Sequence, residues 1–170
     1  LTVVALEKTF DFTLFFGSEG GTGRIVTGGS IDRVDVVAGI TRVVDYKTGT
    51  VAGKINSIDD LFVDDRSKDL DGWLQTLLYC EAYLSTNPSV IRPSIYKVKE
   101  LSAQKFQDTL ILRAGKSSEL LLDNYHSVRE YFLEGLKGVV MAIFDPSEPF
   151  RMTAKTIKCG YCPYRGLCQR

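Results

Sequence analysis

The chain has 170 residues, 44% of them apolar and 25% charged, a composition typical of one globular domain with its own hydrophobic core. No apolar run reaches the roughly 18 residues that a membrane-spanning helix needs, which excludes such a helix. Basic and acidic residues number 21 each, so the formal net charge is zero. That balance excludes a protein that coats nucleic acid through bulk positive charge.

The first part of the chain predicts three strands joined by turns. Apolar side chains occupy alternate positions from Val4 to Phe16, which is the period of a half-buried strand. The glycine-rich residues 17–23 predict a hairpin turn, a second strand follows over 24–37, and a third strand covers 41–47 after a turn at Gly39. The apolar residues of the first strand are Leu6, Phe10, Phe12, Leu14 and Phe16.

The rest of the chain mixes helices and strands. Residues 49–56 are predicted to be a loop, and a helix is predicted from Leu70 to Leu84. Its apolar stripe consists of Leu70, Trp73, Leu74, Leu77 and Leu84. Further strands are predicted over 91–98 and 109–112, and a long helix over 123–144. This order of elements predicts an α/β fold with one central sheet flanked by helices.

The third predicted strand places an acid and a lysine on the same face of the sheet. Side chains alternate along a strand, so Asp45 and Lys47 project to one side while Val44 and Tyr46 project to the other. A surface ion pair would explain this pair and would contribute little to stability. The functional explanation is a metal ligand beside a residue that positions a water molecule.

A second acid is predicted to meet this pair. If the second and third strands form an antiparallel hairpin, Asp32 faces Asp45 across it. Two neighbouring carboxylates repel each other unless a cation lies between them, and hard oxygen ligands suit Mg²⁺ or Mn²⁺. The alternative is an ion network on the strand surface formed by Asp32, Arg33 and Asp35.

The predicted helix at 70–84 carries a further polar pair. Gln75 and Tyr79 are four residues apart and therefore neighbours on a helix, on a face distinct from the apolar stripe. We expect this pair to hold the end of the site or to contact a phosphate. A hydrogen-bonded pair on the helix surface is the alternative.

Three of the four cysteines, Cys159, Cys162 and Cys168, lie near the C-terminus. Their spacing favours metal or cluster ligation over a disulfide framework. Because thiolate ligands need a reducing compartment and the chain shows no signal peptide, we expect a cytoplasmic protein. The same segment is rich in basic residues, for which a solvated surface is the alternative explanation. These basic residues are Arg151, Lys155, Lys158, Arg165 and Arg170.

Three motifs occur in order along the chain: Gly-Ser-Ile-Asp-Arg-Val-Asp at 29–35, Val-Asp-Tyr-Lys-Thr-Gly at 44–49, and Gln75-x-x-x-Tyr79. Together they resemble the PD-(D/E)XK nuclease superfamily, in the branch of the RecB-like and AddB-like nuclease domains of helicase–nucleases. The cysteine-rich end is similar to the iron–sulfur segment of AddB-like members. The resemblance implies a restriction-endonuclease-like central mixed sheet flanked by helices, with a C-terminal cysteine-rich segment.

The resemblance also implies a role for each motif residue. Asp32 and Asp45 would bind Mg²⁺ or Mn²⁺, with the main-chain carbonyl of Tyr46 as a third ligand. Lys47 would orient or activate the attacking water and stabilise charge in the transition state. The helix residues that would line the site are Gln75 and Tyr79.

For the cysteines, the resemblance implies that Cys159, Cys162 and Cys168 bind a 4Fe-4S cluster whose fourth cysteine lies outside this chain. A zinc ion with another ligand, or a disulfide after cluster loss, are alternatives. Cys80 is expected to pack as a small apolar residue. Members of this branch usually carry a metal-binding histidine upstream of the first strand, whereas the one histidine here is His126, expected to be structural or on the surface. We therefore expect a fragment of a longer protein, weakly active or inactive by itself.

The resemblance divides the chain into a nuclease core at 1–150 and a basic, cluster-binding tail at 151–170 packed on that core. It implies a metal-dependent DNA exonuclease for DNA end processing and recombinational repair, working with a helicase domain or partner subunit. One alternative is a catalytically silent scaffold of the same fold that binds DNA or a partner. The other is a stand-alone nuclease of the CRISPR-adaptation or restriction type. The intact Asp32, Asp45 and Lys47 argue against a silent scaffold.

Overall fold

The computed structural model describes residues 1–18, 21–63, 70–102, 106–114, 118–149, 151–153 and 156–169. The strands are β1 (Thr2–Ser18), β2 (Gly21–Val37), β3 (Ile40–Lys47), β4 (Lys54–Ile55), β5 (Ile91–Lys97), β6 (Ile111–Ala114) and β7 (Ser118–Leu121). The helices are α1 (Asp71–Leu84), α2 (Arg129–Phe144) and the short α3 (Thr156–Cys159). Single turns of 3-10 helix occupy Ile58–Leu61, Val98–Glu100 and Tyr125–Ser127.

In the described part of the chain, the main sheet has the strand order β1-β2-β3-β5, and β4, β6 and β7 form a smaller sheet. β1, β2 and β3 are antiparallel neighbours, whereas β5 runs parallel to β3. A parallel neighbour needs a crossover connection, and α1 provides it between β3 and β5. The structure confirms the predicted α/β fold with a central mixed sheet flanked by helices.

The hairpin between β2 and β3 sets the register on which the site depends. Val37 pairs with Ile40, and the two residues between them, Ala38 and Gly39, have φ values of 50° and 81°. Positive φ at both central positions is typical of the tight turn that matches the twist of a hairpin. The resulting register pairs Arg33 with Val44 and continues toward Asp32 and Asp45.

The prediction of a half-buried first strand holds for only part of β1. Phe12 and Leu14 are buried in a cluster with Ala82 of α1 and Val140 of α2. Leu6, by contrast, is 61% exposed. The sequence alternation predicted burial along the whole strand, but the 17-residue β1 is covered by the helices over its second half.

Helix α1 agrees with its predicted span, but more of its surface is buried than its apolar stripe indicates. Leu70, Trp73 and Leu77 of that stripe are at most 2% exposed. Glu81 is buried too, and its carboxylate accepts hydrogen bonds from the Tyr125 hydroxyl (2.9 Å) and the Arg129 guanidinium (2.7 and 2.8 Å). Tyr125 lies in the 3-10 turn before α2, and Arg129 is the first residue of α2. The polar contacts therefore connect the second half of α1 to the start of α2.

Several predicted boundaries were wrong. The long helix begins at Arg129 rather than 123, because Asn124 accepts a hydrogen bond from the main-chain N–H of His126 (3.0 Å) and caps a separate 3-10 turn. The strand predicted at 109–112 is Ile111–Ala114. The loop predicted at 49–56 contains the two-residue β4, and β7 was not predicted. No helix among the described residues is long and apolar enough to cross a membrane.

Candidate active site at the ends of two strands

The three polar residues predicted on β2 and β3 lie together where the two strands leave their paired region. The register Arg33–Val44 places Asp32 and Asp45 next to each other on adjacent strands. One carboxylate oxygen of Asp32, Oδ2, accepts a hydrogen bond from the main-chain N–H of Tyr46 (2.7 Å). Asp32 is therefore oriented by the residue that separates Asp45 from Lys47.

Asp45 is 1% exposed and has one charged partner among the described side chains, the ammonium of Lys47. Lys47 Nζ donates to Asp45 Oδ1 (2.9 Å) and also lies 2.7 Å from Oδ2. The contact with Oδ2 is an ion pair outside hydrogen-bond geometry, so this buried oxygen has no hydrogen-bond donor in the described structure.

The surroundings of Asp45 disfavour its charged form. Burial raises the pKa of this carboxyl, the hydrogen bond and charge of Lys47 lower it, and the nearby negative charge of Asp32 raises it further, with a net upward shift. A buried acid with a raised pKa beside a second acid is a frequent property of functional sites. A cation bound at this position would favour the charged form.

Helix α1 holds Lys47 from its other side. Lys47 Nζ donates a hydrogen bond to Gln75 Oε1 (2.7 Å), and Gln75 Nε2 donates to the Tyr79 hydroxyl (2.5 Å). Asp45, Lys47, Gln75 and Tyr79 thus form one continuous chain of polar contacts. The structure brings together all the side chains that the motifs singled out on β3 and α1.

Gln75 and Tyr79 were predicted to lie on a face distinct from the apolar stripe. Tyr79, however, is 8% exposed and packs in the same core cluster as Trp73 and Leu77 of that stripe. The Tyr79 ring packs on β2, where a Cβ added to Gly29 would lie 2.8 Å from Tyr79 Cε1. Gly29, the glycine of the first motif, thus leaves the space that the tyrosine ring occupies. Gly72 imposes no such constraint on Lys47, because a Cβ there would lie 3.4 Å from Lys47 Cε, an ordinary van der Waals contact.

The donor set fits a divalent cation. Asp32 and Asp45 supply carboxylate oxygens, one of which is buried without a hydrogen-bond donor, and hard oxygen ligands suit Mg²⁺ or Mn²⁺. Across the described residues, no group of three or more His, Cys, Asp and Glu side chains is arranged to hold a metal ion. The side chains therefore provide two ligands, and other ligands would have to come from the main chain or from water.

The alternative ion network exists, but with a different membership and location. Asp35 is 0% exposed and accepts hydrogen bonds from Arg42 Nε (2.7 Å) and Nη2 (2.9 Å). Arg33 Nε lies 2.8 Å from Oδ2 of this carboxylate, the oxygen that also accepts from Arg42 Nη2. The network is thus buried rather than on the surface, and its acid is Asp35. The carboxylate of Asp32 is instead bound by the main chain of Tyr46.

The three C-terminal cysteines are free thiols of intermediate exposure in and after α3. Successive turns connect them, with main-chain hydrogen bonds from Cys162 N to Cys159 O (3.2 Å) and from Cys168 N to Tyr164 O (3.4 Å). They are among the described residues in which no metal-holding group was found. Cys80 is fully buried in the core, as predicted, and burial raises the pKa of its thiol. His126 is exposed, and its ring contacts the carbonyl of Ser89 (3.0 Å).

Sequence reasoning missed Gly29 and the side chain of Tyr46 as parts of the site. The signal for Gly29 was the Gly28-Gly29 pair inside a predicted strand, since glycine there marks a close approach of another group. Tyr46 gave no comparable signal, because strand alternation turns its side chain away from Asp45 and Lys47. Its contribution depends on contacts across strands.

Comparison with known protein families gives a match over nearly the whole chain. A model of the PD-(D/E)XK nuclease superfamily matches residues 1–169. The match begins in β1 and ends in the cysteine-rich segment, so it includes Asp32, Asp45 and Lys47. No curated protein and no solved structure matches the chain significantly.

Proposed function

The chain belongs to the PD-(D/E)XK nuclease superfamily, and from this premise we propose that Asp32, Asp45 and Lys47 form a Mg²⁺- or Mn²⁺-dependent site that hydrolyses DNA phosphodiester bonds. Superfamily members are nucleases and generally use divalent metals such as Mg²⁺. The observation that carries the proposal is the buried Asp45 carboxylate beside the Asp32 carboxylate, with the Lys47 ammonium as its one charged partner among the described side chains and with only an ion pair at Oδ2. A purely structural ion pair would gain nothing from such an arrangement.

Each side chain has a defined part in this proposal. The Asp32 and Asp45 carboxylates and the main-chain carbonyl of Tyr46 would hold the metal. When bound, the metal supplies Lewis acidity to a phosphoryl oxygen and lowers the pKa of a water. Lys47 would orient the attacking water and stabilise the negative charge that develops on the phosphate. Gln75 keeps the Lys47 ammonium in place through the 2.7 Å hydrogen bond, and that is its role here.

The test is cleavage of linear DNA by the protein with Mg²⁺ and with Mn²⁺. We expect weak metal-dependent cleavage that Asp45→Ala and Lys47→Ala abolish, while Asp123→Ala, which changes an exposed acid outside the site, leaves it intact. Mn²⁺ binding is measured on the same samples, so that a weakly active chain still reports on the metal site. If the wild type neither cleaves nor binds metal with any DNA form tried, the catalytically silent scaffold is correct instead.

We further propose the RecB-like or AddB-like branch, with an exonuclease that processes DNA ends in the cytoplasm beside a helicase domain or partner subunit. Support comes from the ordered motifs on β2, β3 and α1 and from the spacing of the three C-terminal cysteines. In this proposal residues 1–150 are the nuclease core and 151–170 a tail packed on it. Cleavage of linear against circular DNA separates an exonuclease from an endonuclease.

The tail is tested separately through its metal content. We propose that Cys159, Cys162 and Cys168 bind an iron–sulfur cluster completed by a cysteine outside this chain. Anaerobic purification of a longer protein that includes the upstream sequence should give iron and sulfide in equal amounts, and Cys162→Ser should remove both. Zinc without sulfide would indicate a zinc site instead of an iron–sulfur cluster. The absence of both iron and zinc would refute a metal-binding tail.

A further inference from the structure

The second half of the first motif, Arg33 and Asp35, has no part in the chemistry proposed above, yet it contacts the site. Asp32 and Arg33 are consecutive in β2, and both bind Tyr46. The carboxylate of Asp32 accepts from the main-chain N–H of Tyr46 (2.7 Å), and Arg33 Nη1 donates to the Tyr46 hydroxyl. Tyr46 is therefore held at its main chain and at the end of its side chain by two adjacent residues of the neighbouring strand.

Arg33 is itself fixed from several directions. Its Nε forms an ion pair with Asp35 Oδ2 (2.8 Å), although outside hydrogen-bond geometry. Its guanidinium carbon lies 4.8 Å from the centre of the Tyr96 ring and 5.3 Å from that of Tyr46, within the range of cation–π attraction. Asp35 is in turn bound by Arg42. The guanidinium thus has little freedom to leave the Tyr46 hydroxyl.

The hydrogen bond from Arg33 to the Tyr46 hydroxyl affects the site because of where Tyr46 lies in the chain. Tyr46 separates Asp45 from Lys47, so a rotation of its peptide would displace both, and its N–H orients the Asp32 carboxylate. The Tyr46 ring is 40% exposed, so core packing alone does not fix it. A hydrogen bond from a partly buried, charged donor supplies the missing restraint.

We propose that Arg33 is a positioning residue of the metal site, which acts through the Tyr46 hydroxyl to fix the Asp32 carboxylate and the main chain between Asp45 and Lys47. Asp35 is the buried anchor of Arg33. This inference rests on the proposed function, because it assigns Arg33 and Asp35 to the support of that same site. Residues that orient metal ligands from outside the ligand set typically change metal affinity or activity by about 10- to 100-fold when replaced.

The chain offers a matched control for this role. Tyr96 belongs to the same cluster, and its hydroxyl accepts a hydrogen bond from Arg42 Nη1 (3.0 Å) instead of from Arg33. The Tyr96 ring makes an edge contact with the Tyr46 ring, with centres 5.8 Å apart. Tyr46→Phe and Tyr96→Phe therefore each remove one hydroxyl that accepts from an arginine and preserve the aromatic rings. Only Tyr46→Phe breaks the proposed connection to the metal site.

The experiment measures Mn²⁺ binding by electron paramagnetic resonance for the full chain and its variants, with thermal unfolding in parallel. Tyr46→Phe and Arg33→Lys should each weaken Mn²⁺ binding about 10-fold, because a lysine cannot reach Asp35 and Tyr46 together. Tyr96→Phe should lower the unfolding temperature about as much as Tyr46→Phe but change Mn²⁺ affinity by less than about twofold. The double variant Arg33→Lys/Tyr46→Phe should bind no more weakly than the weaker single variant, because both changes break one connection.

Three results would overturn the inference: wild-type Mn²⁺ affinity in Tyr46→Phe, an equal loss in Tyr96→Phe, or multiplied losses in the double variant. Asp45→Asn serves as the reference for the site itself. If the wild type binds Mn²⁺ and Asp45→Asn does not, the proposed metal site is supported. The variants at Arg33, Tyr46 and Tyr96 then test only the positioning role of Arg33. If the wild type binds no Mn²⁺, or Asp45→Asn binds it equally well, the proposed metal site fails and the role of Arg33 fails with it.

Discussion

Two buried carboxylates on neighbouring strands, Asp35 on β2 and Asp45 on β3, are both at most 1% exposed but have opposite surroundings. Three nitrogens from two guanidinium groups, those of Arg33 and Arg42, lie within 2.9 Å of Asp35. Both oxygens of Asp45 contact the same ammonium, that of Lys47, and Oδ2 accepts no hydrogen bond in the described structure. The negative charge of Asp32 lies nearby. In the described structure, Asp35 thus accepts two hydrogen bonds and has one further ion pair, whereas Asp45 accepts one hydrogen bond from a single ammonium. We interpret Asp35 as an acid that serves the fold and Asp45 as an acid available to a cation.

The largest expected effect comes from Asp45→Asn. Because the variant loses a metal ligand but its amide oxygen still accepts from Lys47, we expect metal-dependent DNA cleavage to fall by roughly 1000-fold without loss of stability. Cleavage rates and the midpoint of urea unfolding for the metal-free protein check both parts. A variant that is clearly less stable than the wild type would mean that Asp45 is a structural acid like Asp35.

The reverse is expected for Asp35→Asn. Removing this charge takes the nearest acid from the buried Arg42 and the partly buried Arg33 and leaves Arg42 with Asp108 at 3.7 Å, which should lower the free energy of unfolding by about 3 kcal/mol. Urea unfolding measures the loss. An unchanged unfolding midpoint would show that the network around Asp35 does not stabilise the fold, and the contrast between the two acids would disappear.

A smaller loss is expected for Gln75→Leu, which removes the hydrogen bonds to Lys47 and Tyr79. Among the described side chains, the Lys47 ammonium is then held by Asp45 alone. DNA cleavage should fall about 10- to 100-fold, the usual range for a residue that orients a functional group. Tyr83→Phe, which removes a hydroxyl from the same helix one turn beyond Tyr79, is the control and should retain cleavage within about twofold. Equal activity of both variants and the wild type would remove Gln75 from the site.

The smallest expected effect is a difference in pH dependence. Burial raises the pKa of Asp45 above its usual value of 3.8, so the folded metal-free protein holds this proton more tightly than the unfolded chain does. Stability that depends on this carboxyl is therefore greatest below 3.8 and is lost as the pH rises through the raised pKa. As the pH rises from 3.8 through the raised pKa, the free energy of unfolding of Asp45→Asn should increase relative to that of the wild type. Above the raised pKa, the difference between the two proteins should stay constant. A pH-independent difference in urea midpoint would contradict the raised pKa.

Much of the fold was predictable because its strongest signals are local. The alternation in β3 and in the second half of β1, the turn at Gly39 and the stripe of α1 each arise from neighbouring residues, and the structure confirmed these elements. Of the turn predicted at 17–23, Gly17 and residues 21–23 lie in β1 and β2, and residues 19–20 lie outside the described residues. The two-residue β4 and the four-residue β7 are too short to carry a periodic pattern. The start of α2 was misplaced because the Asn124 cap favours a 3-10 turn, a competition that helical periodicity does not report.

By itself, the sequence determined which residue types meet at the site. Asp45 and Lys47 share a face because strand side chains alternate, and Asp32 joins them because a two-residue turn sets the register of the hairpin. Only the tertiary structure decided how each group is used. The packing of α1 on the sheet bonds Gln75 to Lys47 and buries Tyr79 against Gly29.

The tertiary structure also decided that the two acids of the first motif, Asp32 and Asp35, have different locations and partners. Asp32 and Asp35 look equivalent in the sequence, and hydrogen bonding and burial separate them. Arg42 of β3 donates a hydrogen bond to the buried Asp35, whereas the main-chain N–H of Tyr46 donates to Asp32 at the site. The free energy of a buried charge depends on donors from distant parts of the chain, so a carboxylate left short of donors becomes visible only when the strands and helices are packed.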